Sequence, residues 1–328
     1  MKLSIVIPVY NVEKFVADCM ESCIRNLSDK QSEVEMIIVD DGSKDQSINI
    51  VQRIIDKVSC ARIITQVNLG LSMARNNGMK EAKGEYIWFV DSDDFIADGI
   101  ISRIISVIND CGELDILELE YEKVDEFVNR QDLKIEVNSN KNVEVITGHK
   151  RFLDGFCTPV QFHVFRREFL IKWDLFMYPG IFHEDSEFTP RALWKAEKVA
   201  LLKGNAYFYR QRRHSIMTTP NPKKGKDYMF VAHRLVDYFF SQPMNKDEKS
   251  IVCNYIAMTY CNGLRNAIGV NKRIKDEINE AAVLHKIVLK ALKHAKEIKY
   301  KILGYLASAF PKYIVNVYII MMNFKVTK

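Results

Sequence analysis

Apolar runs and amphipathic stretches alternate along the first hundred positions. The runs Leu3–Val9, Glu35–Asp40, Arg62–Gln66 and Glu85–Val90 are short and rich in Ile and Val, as strands buried on both faces are. Between them, residues 12–27, 44–57, 70–82 and 97–110 repeat apolar positions with the helical period, with Ser43 or Lys44 and Asn68 or Leu69 at plausible starts. This alternation predicts an α/β domain built on a doubly wound, mostly parallel sheet. Ligands of such sheets lie beyond the carboxyl ends of the strands, so the residues just after each strand carry the candidate chemistry.

Residues 113–146 are more polar, with strand candidates Asp115–Tyr121 and Lys134–Val137. Thr147 is placed to cap a helix through Phe156, Arg166–Trp173 reads as a short helix, and His183-Glu184-Asp185 precedes a helical Ser186–Ala196. Val199–Arg210 is strand-like. From Lys226 the pattern turns helical, over 226–241, 246–268, 272–297 and a final segment from Tyr300. The segment Thr218–Gly225, with its two prolines and terminal glycine, is the expected linker. It divides the chain into an α/β domain, 1–220, and a helical C-terminal extension, 221–328.

Composition narrows the class. At 328 residues, with 48% hydrophobic and 27% charged, the chain affords a sizeable core and is neither disordered, collagen-like nor a multi-span membrane protein. Seven cysteines without any C-x-x-C pair suggest free thiols of a reducing compartment rather than a disulfide framework or a zinc site. Met1 leads straight into a strand-like run without a basic n-region, so no secretory signal is expected and the cytoplasm is the expected location. The net charge of +5 is unevenly placed: residues 1–100 carry −5, residues 101–220 carry −1 and residues 221–328 carry +11. An acidic front suits a cation, and a basic tail suits an anionic partner.

The strand ends carry Pro8-Val9-Tyr10-Asn11, Asp40-Asp41-Gly42-Ser43, Asn68-Leu69-Gly70 and Asp91-Ser92-Asp93-Asp94. Singly, Asp-Gly-Ser is an ordinary turn and Asn-x-Gly an ordinary helix entry. Together they gather like charges at one sheet edge, which costs energy unless a cation or ligand neutralises them. Asp91 and Asp93 point to the same side of an extended segment, a spacing that suits a hard divalent cation completed by diphosphate and water.

These residues resemble glycosyltransferase family 2, the inverting GT-A enzymes. The resemblance runs from Ser4–Asn11 through Val39–Ser43, Asn68–Gly78 and Phe89–Asp94, then resumes at Phe165–Leu170, His183–Asp185 and Tyr209–Met217. It implies a GT-A-like sheet and transfer of a sugar from a nucleotide-diphosphate sugar, a UDP-sugar, to a hydroxyl of a glycan or lipid-linked acceptor in cell-surface polysaccharide synthesis. Pro8, Tyr10 and Asn11 are similar to the loop that holds base and ribose, and Asp41 to the carboxylate that accepts the uracil N3–H. Asn68, Gly70 and Arg75 resemble the segment lying along the nucleotide. Asp91 and Ser92 would join that binding set, Asp91 at the ribose or a metal-bound water, and Asp93 would hold Mg²⁺ or Mn²⁺. Asp185 resembles the catalytic base. Arg210 and Arg213, with Arg212, His214 and Ser215 between and beyond them, stand where the family has a loop that closes over the diphosphate; the sequence leaves open which arginine reaches it. One departure concerns the acceptor side: the family often carries a Lys where this chain has His163, and a core histidine and a ligand contact both stay open there.

Rival readings can be weighed on the same residues. A dinucleotide-binding oxidoreductase falls, because no G-x-G-x-x-G follows the first strand. A sugar nucleotidyltransferase would need a Gly-rich phosphate loop where Val9-Tyr10-Asn11 stands, and a non-catalytic glycan-binding or scaffold protein would be expected to have lost one of Asp41, Asp93 or Asp185. No nucleic-acid partner is expected, and the oligomeric state is not readable. In the tail, Lys286, Lys290, Lys293, Lys296, Lys299 and Lys301 precede two apolar segments divided by Pro311-Lys312, each too short to span a bilayer. That arrangement suits peripheral attachment to the inner face of the cell membrane; a solvated helical subdomain and a dimer interface are the alternatives.

Overall fold

The computed structural model describes residues 1–27, 30–128, 143–212 and 221–323. Its strands are β1 (Leu3–Val9), β2 (Val34–Asp40), β3 (Ala61–Thr65), β4 (Tyr86–Phe89), β5 (Phe95–Ile96), β6 (Ile116–Asp125), β7 (Val145–Ile146), β8 (His163–Arg166) and β9 (Val199–Gln211). The first seven helices are α1 (Val16–Arg25), α2 (Ser47–Ile55), α3 (Leu71–Glu81), α4 (Ile100–Cys111), α5 (Gly148–Asp154), α6 (Arg167–Lys172) and α7 (Glu184–Lys195). Six more follow: α8 (Pro222–Phe240), α9 (Lys246–Arg265), α10 (Lys272–Leu284), α11 (Val288–Leu292), α12 (Ile298–Ala309) and α13 (Ile314–Asn323). The chain packs as two compact units, Met1–Gly180 with Phe188–Thr218, and Ile181–Glu187 with Thr219–Lys328. The strand candidate Lys134–Val137 lies outside the described residues.

The first unit is built on one sheet in the order β3-β2-β1-β4-β8-β6-β9-β5, with β7 also on β9. Strands β1, β2, β3 and β4 run parallel, and β8 then pairs antiparallel with both β4 and β6. Every residue of β1 and β2 is buried, which explains their unbroken apolar reading. On one face α3 lies so close that a Cβ on Gly78 would stand 2.3 Å from Val6 Cγ1, so only glycine fits there. The short helix expected over Arg166–Trp173 is α6, Arg167–Lys172, and the sequence reading did not single out the strand before it, β8. The ladder to β4 holds residues 163–166 extended, with Trp88 opposite Val164. His163, fully buried in β8, donates from Nδ1 to the Pro159 carbonyl at 3.1 Å and stacks on Phe165. Burial holds its pKa below the ordinary histidine value, so it is a neutral core side chain.

In the second unit the end of the expected linker, Pro222–Gly225, is the first turn of α8, and residues 218–220 lie outside the described residues. Asn221 caps α8 by accepting from the Lys223 N–H, and Pro222 occupies the first turn, where its missing N–H costs nothing. Gly225 is then a contact residue: the Cβ of a side chain on Gly263 would lie 2.7 Å from the Gly225 carbonyl, so the pair lets α8 and α9 approach closely. The stretch 272–297 breaks into α10 and α11. The break at His285–Ile287 turns Val288, Leu289, Ala291 and Leu292 into the interior against α9 and α12.

Candidate active site

Parallel register brings the carboxyl ends of β1 to β4 to one edge, with Val9 opposite Asp40 and Asp40 opposite Thr65. Pro8 is inside β1 and buried, whereas Tyr10 follows the strand and is 44% exposed. Asn11, in the left-handed region at φ 50°, accepts from the Lys44 N–H at 2.8 Å, while its own N–H reaches Ser43 Oγ. It therefore ties the loop after β1 to the loop after β2.

Asp41 is buried and organises the loop after β3. Its Oδ1 accepts from Gln66 Nε2 and the Leu69 N–H, both at 2.7 Å, and its Oδ2 accepts from the Gly70 N–H at 2.9 Å. Three of roughly four acceptor sites of a carboxylate are used, leaving one on Oδ2. Gly70, at φ 86°, opens α3, and Asn68 beside it is exposed. One turn into α3, the buried Arg75 pairs with Asp91 at 2.5 Å.

The segment after β4 concentrates charge. Asp93 pairs with Arg212, and its pKa is nonetheless raised, by burial first and then by Asp91, with Arg212 opposing. Asp94 is fully buried and raised well above the carboxylate range by burial and by Asp93 and Asp91. The Tyr207 hydroxyl donates to Asp94 at 2.7 Å and accepts from the Asp91 N–H at 3.0 Å, and the Arg210 N–H donates to Asp94 at 2.8 Å. Strand β9 thus clamps the loop, and Ser92 is buried inside it.

Arg210, expected to meet a diphosphate, is committed elsewhere. Its Nε donates to the Asp93 carbonyl, one Nη to the Glu126 carbonyl and the other to Asp18 at 2.8 Å, with the guanidinium over Phe15 and Phe95. It is a structural pin because it ties three separate segments, at Asp18, Asp93 and Glu126, to strand β9. Arg212 also lies over Phe15, and its buried Nε has no hydrogen-bond partner among the described residues. Arg213 lies outside the described residues. Sequence reasoning missed Tyr207, Asp18 and Phe15, which carry no motif and meet the acidic loop only through the fold.

Asp185 belongs to the second unit, in the first turn of α7. Its Oδ1 accepts from the Ser186 N–H at 2.6 Å. The segment 181–187 is held by the C-terminal helices: Asp227 accepts from the Phe182 N–H, Tyr255 donates to the Ser186 carbonyl and Arg234 pairs with the buried Glu187 at 3.1 Å. His183, at φ 62°, stacks on Tyr228 with centroids 3.6 Å apart. Burial, with Lys224 and Lys223 nearby, pushes its pKa down to about 4, so it is neutral.

Comparison with known proteins fits this geometry. The model of the family described as glycosyl transferase family 2 matches residues 4–173, more than half of the chain. The chain belongs to glycosyltransferase family 2. Among its relatives is the uncharacterized glycosyltransferase EpsJ of Bacillus subtilis, 32% identical over 225 residues, 66% of this chain and 63% of that protein. The chain thus spans less than two thirds of that relative. The poly(ribitol-phosphate) beta-N-acetylglucosaminyltransferase TarS of Staphylococcus aureus is 24% identical over 281 residues, 84% of this chain and 47% of that protein. A crystal structure of S. aureus TarS 1-349 in complex with UDP-GlcNAc superposes with a TM-score of 0.78 at 20% identity, covering 100% of this chain and 93% of that one. The GT-A sheet with its helical C-terminal region is shared with it.

Proposed function

We propose that this family 2 enzyme is an inverting, metal-dependent transferase that moves a sugar from a UDP-sugar to a hydroxyl of a glycan or lipid-linked acceptor in surface-polysaccharide synthesis. The observation that carries the reading is the gathering of Asp41, Arg75, Asp91, Asp93 and Arg212 at the carboxyl edge of β1 to β4. The likeness to a structure holding UDP-GlcNAc supports a uridine donor.

Tyr10 offers an exposed ring to a base, and the remaining lone pair on Asp41 Oδ2 suits the uracil N3–H, a donor. The donor set of the acidic loop fits a hard divalent cation: oxygen ligands only, one carboxylate, Asp93, paired at a partly exposed position with an exchangeable cation, and acidic neighbours that favour positive charge. A neighbour in fold, a Pyrobaculum calidifontis mannosyltransferase, was solved with GDP-Man and Mn2+. Asp93 would hold Mg²⁺ or Mn²⁺, which supplies charge neutralisation of the leaving diphosphate. Arg212, partly exposed beside Asp93, adds a cation for the phosphates. Asp185 takes the proton of the acceptor hydroxyl as that oxygen attacks from the face opposite the diphosphate, which inverts the anomeric centre.

Titration with UDP, GDP and dTDP, with and without Mn²⁺, tests the donor side. UDP is expected to bind most tightly, more so with Mn²⁺, and the gain from Mn²⁺ to vanish in Asp93→Asn. UDP binding indifferent to both Mn²⁺ and EDTA would remove the metal, and tighter GDP binding would remove the uracil contact.

A further inference from the structure

Helix α12 is apolar on both long faces. Tyr300, Leu303, Gly304 and Ala307 recur at helical spacing and are buried, with α11 packed against the helix. The opposite face carries Ile298, 72% exposed, with Ile302, Tyr305 and Leu306, and the turn that follows adds exposed Phe310 and Tyr313. A helix covering a folded unit from outside ordinarily turns polar residues outward. Here the outward stripe is made of large apolar side chains.

On the 3.6-residue period Lys299 and Lys301 fall along the two edges of that stripe. Lys293 reaches over the Tyr305 ring at 5.3 Å. The turn is fixed, since Asn279 donates to the Lys312 carbonyl at 2.9 Å and accepts from the Val315 N–H at 3.1 Å. Residues 286–313 hold seven lysines against one acidic residue, Glu297.

We propose that this face docks on an anionic lipid bilayer, with α12 lying in the interfacial plane. Aromatic and aliphatic side chains enter the headgroup boundary while the flanking lysine stems run alongside and their ammonium groups meet lipid phosphates. The helix lies on the surface rather than crossing it. Among the described residues no single helix is long and apolar enough to span, the α12–α13 pair is bent by 114°, and Ile314, Val315 and Tyr318 of α13 are buried in the protein. A second copy of this chain fits worse as the occupant, because a two-fold contact would bring the two lysine sets face to face.

Co-sedimentation of the full chain, without nucleotide, with phosphatidylcholine vesicles and with vesicles containing phosphatidylglycerol reads this directly and independently of the donor assignment. The wild type is expected to partition at least about tenfold more onto the anionic vesicles at low salt, and to leave them as salt rises. Ile302→Glu with Tyr305→Ser, and separately Lys299→Glu with Lys301→Glu, should each cost about tenfold or more while melting as the wild type does. The proposal is overturned by wild type that ignores anionic vesicles at low salt, or by lysine variants that bind as the wild type does. It is equally overturned if the chain is a dimer that Ile302→Glu dissociates and that never binds vesicles.

Discussion

Two side chains at the start of α7 carry separable consequences. Asp185→Asn keeps a hydrogen-bonding side chain in the first turn but cannot take a proton, so transfer should fall by about 10²–10⁴-fold. Donor binding should be unchanged, and near-full transfer to the true acceptor would remove Asp185 as the base. His183 acts on stability instead. Its pKa of about 4 in the fold lies below the usual histidine value, so the unfolded chain takes up the proton first as pH falls. The stability it contributes is complete above about pH 6.5 and is lost on the way to pH 4, about 3 kcal/mol in all. His183→Asn tolerates the left-handed backbone and has nothing to protonate, so urea unfolding between pH 7 and 4.5 should show a flatter decline than in the wild type.

At the scale of elements, the α8–α9 crossing is set by glycine. In an exposed helix interior Gly→Ala gains about 1 kcal/mol. At Gly263 the added methyl would stand 2.7 Å from the Gly225 carbonyl, a backbone atom that cannot step aside without moving the helix. Gly263→Ala should therefore destabilise by about 1–3 kcal/mol, read as a lower melting temperature. An unchanged or raised value would mean that the two helices are free to slide. The two units divide between Thr218 and Thr219, inside the expected linker Thr218–Gly225, but its end already belongs to α8: Pro and Gly are loop residues by propensity, yet Asn221-Pro222 is a helix start and Gly225 a packing contact.

For the whole molecule, the segment carrying Asp185 is held by the C-terminal helices, while the acidic loop and its arginines are held by the sheet. Ligand binding and chemistry should therefore separate in one experiment. UDP with Mn²⁺, at about a hundred times its dissociation constant, should raise the unfolding free energy by about 2.7 kcal/mol. Asp185→Asn should show the same rise with transfer lost, and Asp93→Asn should lose the part due to Mn²⁺. A rise that disappears in Asp185→Asn would tie that residue to the donor rather than to the acceptor.

The α/β class, the first four strands and the order of the strand-end motifs are all legible in the sequence, because period and turn chemistry are local properties of the chain. So is the concentration of positive charge beyond residue 220. Which arginine is spent and which is available was decided only by tertiary structure: Arg210 and Arg212 are two positions apart and would share a face of a continuous strand, yet β9 ends at Gln211, and Arg210 reaches Asp18, the Glu126 carbonyl and the Asp93 carbonyl while Arg212, past the strand end, sits on the Asp93 carboxylate. His163 became a core residue because β8 was recruited antiparallel beside β4, a long-range pairing with no local signal. The outward apolar stripe of α12 needed the fold as well, since a helix apolar on both faces does not say by itself which face the protein will cover.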